Sequence, residues 1–201
     1  MRCKPPDKQF FSEVRDLNIA FLGLVADPRA GTAGLDMLGL APPSAAAVAG
    51  LSSEELRRIA AVPVPLAGFH ALPSPSAVAE QPPQAAALDA SWRLAAEFYA
   101  AGLLTYLWQL ARHQPVAAAL CVGPGQGRVK QLARLSFDTI QGCAAVAAPQ
   151  LRARPAFSAK LLPGLVRAAR TPVDDCRPLG LDLIPLGLAG LRPARGPRRR
   201  G

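Results

Sequence analysis

Apolar residues recur at helical spacing in several separate runs. Over residues 12–26, Val14, Leu17, Phe21, Leu24 and Val25 share one side of a helix that Ser12 can cap and Asp27-Pro28 ends. A second helical stretch covers about 30–40, with Leu35, Leu38 and Leu40 as its apolar positions. Ala41-Pro42-Pro43-Ser44 reads as a turn, with Ser44 capping an Ala-rich helix to about Ala49. Ser52 and Glu55 make an S-x-x-E capping box, in which hydroxyl and carboxylate satisfy each other's backbone N–H groups. The helix it opens, about 53–61, turns Leu56 and Ile59 inward and Arg57 and Arg58 outward. A long helix over about 89–112, with Asp89 as N-cap, carries Trp92, Ala96, Tyr99, Leu103, Tyr106, Leu107 and Leu110. That stripe is wide enough for burial or dimer contact. Shorter helices are predicted at 116–122, 127–134, 137–147 and 156–169.

Proline and glycine divide these runs. Residues 63–83 hold six prolines, which remove backbone donors and block helix, so the stretch reads as an extended linker. From Thr171 the chain is rich in Leu, Gly and Pro and closes on Arg192, Arg195 and Arg198 to Arg200, where no stable structure is expected. The predicted fold is therefore all-α. It has a helical unit over 1–70, a proline-rich linker over 71–88, a second helical unit over 89–170 and a flexible basic tail over 171–201.

Composition supports the helical reading. Of 201 residues, 39 are Ala and 29 are Leu, both strong helix formers, and only 5% are aromatic. An all-β sandwich or barrel is excluded on that ground, and the apolar content excludes a disordered chain. The net charge of +9 is uneven: residues 1–100 carry 8 basic and 10 acidic groups (−2), residues 101–201 carry 15 and 4 (+11). That imbalance suggests an acidic partner such as nucleic acid for the second half. Against it stands the reading that the basic groups only solubilise. Four scattered cysteines and two distant histidines make no local ligand set, so neither a metal site nor a disulfide framework is expected. Cys121 and Cys143 lie among Ala, Val and Leu and read as small core residues. Acidic residues precede the short apolar run at Ile19 to Ala26, so no signal peptide is read, and no run is long enough to span a membrane. A cytoplasmic protein is the expectation.

The two halves echo each other at an offset of 84. Gly39 matches Gly123, Ala49 matches Ala133, Leu51-Ser52 matches Leu135-Ser136 and Ala60 matches Ala144. Phe21-Leu22 and Tyr106-Leu107 lie at nearly the same distance upstream. Five of 22 aligned positions are identical, but the punctuation also repeats: a Gly after an apolar run, then Leu-Ser twelve positions on. Two such units would form a pseudo-dimer within one chain, or two arms of a larger assembly.

The ordered set Asp16-Leu17-Asn18-Ile19-Ala20-Phe21-Leu22, Leu38-Gly39-Leu40, Leu51-Ser52 and Leu56 resembles the FlhD family of bacterial flagellar transcriptional regulators. The similarity covers about residues 12–70. It implies an all-helical homodimer that activates flagellar genes together with FlhC. The chain departs from the family at Ala67-Gly68-Phe69, where members often carry a cysteine before a His-Phe-type segment. The proline stretch also replaces a helical extension that members use near DNA, so no contact residue transfers.

Candidate contacts come from the residues themselves. Arg128, Lys130 and Arg134 on one predicted helix, with Arg152 and Arg154 in the next loop, could meet phosphate and release counterions. Arg167 and Arg170 are further basic positions. Leu17, Phe21, Leu24, Trp92, Tyr99 and Tyr106 are the expected dimer or partner interface. Ala46 to Ile59 fits helix-turn-helix spacing, but its second helix opens on Ser52-Ser53-Glu54-Glu55, whose carboxylates repel phosphate, and an ordinary helical corner is the favoured reading. Gly123-Pro124-Gly125-Gln126-Gly127 lacks the Lys-Ser/Thr of a phosphate loop and reads as a turn. Asp174-Asp175 reads as a solvated turn. No enzyme motif or cofactor site is found. The expected function is a non-enzymatic transcription regulator that works by helical self-association with an FlhC-like partner, on DNA of flagellar or motility genes. The alternative is a helical adaptor or assembly protein that does not bind DNA.

Overall fold

Nine α-helices and one two-stranded ribbon make up the described residues of the computed structural model, which are 8–72, 88–122, 126–144, 146–154 and 162–171. The helices are α1 (Lys8–Ala26), α2 (Gly31–Leu38), α3 (Pro42–Ala49), α4 (Ser53–Ala60), α5 (Ala90–His113), α6 (Pro115–Val122), α7 (Gln126–Arg134), α8 (Phe137–Ala144) and α9 (Leu162–Arg170). The strands are β1 (Ala67–Phe69) and β2 (Leu151–Ala153). The all-α class holds.

Local chemistry accounts for most boundaries. Ser52 Oγ accepts from the Glu55 amide at 3.2 Å and the Glu55 carboxylate accepts from the Ser52 amide at 2.6 Å, which completes the capping box of α4. The Asp89 carboxylate accepts from the Ser91 and Trp92 amides at 2.9 Å each and starts α5. Gly39 ends α2 at φ +69°, a left-handed conformation that costs a Cβ-bearing residue about 1–2 kcal/mol. Two expected caps lie elsewhere. α1 already runs through Lys8, so Ser12 is inside it. α3 opens at Pro42, because a proline in the first turn loses no hydrogen bond, and Ser44 sits one turn in.

The stretch expected as the start of an extended linker belongs to the core. Val62, Val64, Leu66 and Ala67 are buried, and 67–69 form β1. Proline leaves this segment without helix, and a single side chain from α1 gives it fixed partners. Fully buried Asn18 shares its two amide hydrogens among the carbonyls of Ala60, Val62 and Val64, each at 3.1 Å. Its Oδ1 accepts from the Leu66 amide at 2.8 Å. All of its hydrogen-bonding capacity goes to backbone groups that a helix-free segment cannot pair internally. The rest of the proline stretch, 73–87, and most of the tail, 172–201, lie outside the described residues.

Adding 84 to the bounds of α2, α4 and β1 reproduces α6, α8 and β2 residue for residue, and α3 maps onto α7 with one extra residue. The long helices correspond at 85: buried Val14, Asn18, Leu22 and Val25 of α1 match buried Tyr99, Leu103, Leu107 and Leu110 of α5. β1 and β2 pair antiparallel, Ala67 opposite Ala153, Gly68 opposite Arg152 and Phe69 opposite Leu151. Gly68 and Arg152 are themselves equivalent positions, so the ladder maps onto itself when the halves are exchanged. The flanking bonds obey the same exchange: His70 N–H donates to Gln150 O and Arg154 N–H to Leu66 O, both at 2.9 Å. Packing crosses over too, since α2 meets β2 and α6 meets β1. One continuous apolar core runs through α1–β1 and α5–β2. α9 breaks the exchange by packing on α3 and α4. Among the described residues no helix is long and apolar enough to cross a membrane.

Candidate nucleic-acid interface

The five candidate basic residues separate into two groups. Arg152 on β2 and Arg154 just past its end alternate with buried Leu151 and Ala153. Arg154 is buried and donates through Nη1 to Leu120 O at 3.3 Å and through Nη2 to Cys121 O. These are carbonyls of the last turn of α6, where a cation also meets the negative end of the helix dipole. Burial lowers the Arg154 pKa, while the neighbouring Cys121 and Tyr99 oppose that shift. Burial pushes the Cys121 thiol up to about 12 and raises the Tyr99 hydroxyl as well. Arg154 is thus a core residue and is corrected as a DNA contact, because its charge is spent on α6.

Arg152 is half-buried, and one end of its guanidinium is engaged within the fold. Its Nη1 donates to Pro149 O at 2.8 Å and to Leu151 O at 2.7 Å, and its Cδ lies against Gly39 at the end of α2. A Cβ at Gly39 would lie 3.7 Å from that carbon. Burial lowers its pKa.

The second group is on the surface. α7 buries Val129 and Leu132 and turns Lys130, Gln131 and Arg134 to solvent. Arg128 lies at the flank, half-buried, and donates through Nη2 to His70 O at 3.3 Å, which ties α7 to the end of β1. None of Arg128, Lys130 and Arg134 has a carboxylate within ion-pair distance among the described residues.

The six expected interface residues do come together, but within the chain. Phe21 and Tyr99 stack at 5.8 Å between ring centres, and Tyr106 lies 6.4 Å from Phe10. The Trp92 indole N–H donates to Leu24 O at 3.0 Å, and its ring fits against Gly34, where a Cβ would approach to 3.0 Å. Phe21, Leu24, Trp92 and Tyr99 are buried, and Leu17 and Tyr106 are half-buried against the core. The four buried ones serve the packing of α1 on α5 within the chain.

The helix-turn-helix candidate is a helical corner that packs on α9. Ile59 is buried, and α9 lies on α3 and α4. Arg58 donates to Ala169 O at 3.1 Å, and Arg170 faces Glu55 at 3.9 Å. Gly123-Pro124-Gly125, Asp174-Asp175 and Arg192 to Arg200 lie outside the described residues.

Sequence reasoning missed Asn18 as a structural anchor, although the residue stood in a motif already singled out. An Asn in an apolar helix face was the available signal. No family model, no curated protein and no solved structure matches the chain.

Proposed function

We propose that the protein is a transcription regulator resembling FlhD, in which one chain carries both halves of the dimer. It acts with an FlhC-like partner on DNA of flagellar or motility genes. The observation that carries this reading is the β1–β2 ribbon, centred on the equivalent residues Gly68 and Arg152. A ribbon that maps onto itself under exchange of its strands is the geometry of an isologous contact between two identical subunits. Here both strands come from one chain. The resemblance of residues 12–70 to a dimeric regulator then accounts for the duplication: self-association has moved inside the molecule. The positive charge on α7 supplies the phosphate contact, which exposed Lys130 and Arg134 make with half-buried Arg128 beside them.

The adaptor reading draws support from Arg154, whose burial inside the fold removes one of five candidate contacts. Sedimentation and gel shifts separate the readings. The regulator runs as a single 21.0 kDa species and retards motility-promoter duplex with the FlhC-like partner, less so at higher salt. A chain with no duplex affinity, alone or with that partner, is the adaptor.

A further inference from the structure

Equivalent surfaces of the two units are occupied differently. On the first unit α9 lies beside α3, and Pro43, Ser44 and Ala47 line a groove together with Leu162, Val166, Arg167 and Arg170 of α9. A Cβ at Gly50 would lie 3.9 Å from the Arg170 guanidinium. On the second unit the same positions are Gly127, Arg128, Gln131 and Arg134, and no described helix lies on them. A Cβ added at Gly127, or at Gly142 of the adjoining α8, meets nothing within 4 Å.

We infer that this open strip of α7 is a seat for the phosphate backbone of one DNA duplex, so that the molecule engages nucleic acid through its second unit alone. The inference rests on the regulator reading. The substitutions between the two seats exclude an apolar helix such as α9. Ala47 is replaced by Gln131, and Ser44 and Gly50 by two arginines. An apolar occupant would strip water from those arginines without returning hydrogen bonds. Glu55, the partner of Arg170, is replaced by Thr139, so the anion is gone as well. A phosphate backbone satisfies guanidinium and ammonium groups directly, and flanking glycines let it come close to the helix.

Ion pairing assigns the same side. On the first unit Arg57, Arg58 and the Arg167 and Arg170 of α9 stand against Glu54 and Glu55, for a net of +2. Three of the four are paired, Arg57 with Glu54 at 3.8 Å, Arg58 with Glu54 at 3.4 Å and Arg170 with Glu55 at 3.9 Å. Over 126–144, Arg128, Lys130 and Arg134 stand against Asp138, also for a net of +2, and none of the three is ion-paired among the described residues. Lys130 and Arg134 are the exposed pair, and Arg128 braces the helix from its flank.

Titration of a labelled duplex, read by anisotropy at several salt concentrations and with the FlhC-like partner present, tests the assignment. The wild-type chain takes up one duplex. Lys130→Ala with Arg134→Ala weakens binding about tenfold or more and lowers the log–log salt slope by about 2. Arg57→Ala with Arg167→Ala, on the first unit, leaves both within about twofold. Melting curves keep the comparison to folded protein. Two duplexes per chain, or binding lost with the first-unit pair and kept with the second-unit pair, overturns the one-sided seat and leaves the regulator reading standing. No uptake of duplex by the wild-type chain fails the regulator reading itself. Capture of an acidic helical peptide by the strip in place of duplex overturns the choice of occupant.

Discussion

Replacing Asn18 with leucine tests how much one buried amide holds. The second unit has Leu103 at the corresponding place, so the new side chain suits the helix and its apolar surroundings. What it leaves behind are three carbonyls and the Leu66 amide with no side-chain partner. Such orphaned groups cost about 1–3 kcal/mol each when water cannot reach them, and partial relaxation leaves an expected loss of roughly 2–4 kcal/mol. Denaturant unfolding measures it, and a loss under about 1 kcal/mol would mean that the segment holds without the amide. Arg154 carries a related lesson. In the sequence an arginine two residues from Arg152 reads as surface charge. Whether it is buried depends on the carbonyls of Leu120 and Cys121, more than thirty positions upstream, which no local pattern reports.

Elements were the most legible scale. The capping box at Ser52 and Glu55 and the Asp89 cap appear where the residues announce them, because a cap is chemistry within one helical turn. Both carboxylates are held below their ordinary pKa, Glu55 mainly by the Ser52 amide and Asp89 mainly by the Trp92 amide. A depressed folded-state pKa stabilises the fold above the unfolded value, and that stability is lost as pH falls through the lowered value. The ordinary values are 4.5 for Glu55 and 3.8 for Asp89. Melting temperature should therefore drop as the medium is acidified through and below this range. Glu55→Gln should flatten that drop, because a neutral cap does not titrate. Superimposable acid profiles for the two proteins would count against the cap. The misplaced starts of α1 and α3 share a cause. Serine competes for the cap position only if the residues before it are not already helical, and upstream Lys8 and Pro42 are.

On the scale of the whole molecule the question is whether the units stand alone. Trp92 of the second unit bonds to Leu24 of the first, Phe21 stacks on Tyr99, and among the described residues the two strands pair only with each other. A protease site introduced between residues 73 and 87 and then cut should yield two fragments that elute together and melt in one transition. Either unit expressed alone should lose cooperative unfolding, since separation exposes half of a shared core. Fragments that part in native buffer and keep their helices would show two independent domains instead. The repeat spacing of 84 anticipated equivalent elements. It left open whether they pack on one another or spread apart, because both arrangements bury the same stripes.

By itself the sequence determined the helical class, most helix ends, the spacing between the units and the concentration of positive charge in the second. Each of these depends on residues a few positions apart or on simple counts. Tertiary structure alone decided that the two units share one core, that residues 62–69 serve as strand and core, and that Arg154 is internal while Lys130 and Arg134 face outward. Those outcomes turn on contacts between distant positions, such as Asn18 with Val64 and Trp92 with Leu24. Whether a polar side chain is buried is set by the backbone groups waiting to receive it, and only the folded chain brings them into place.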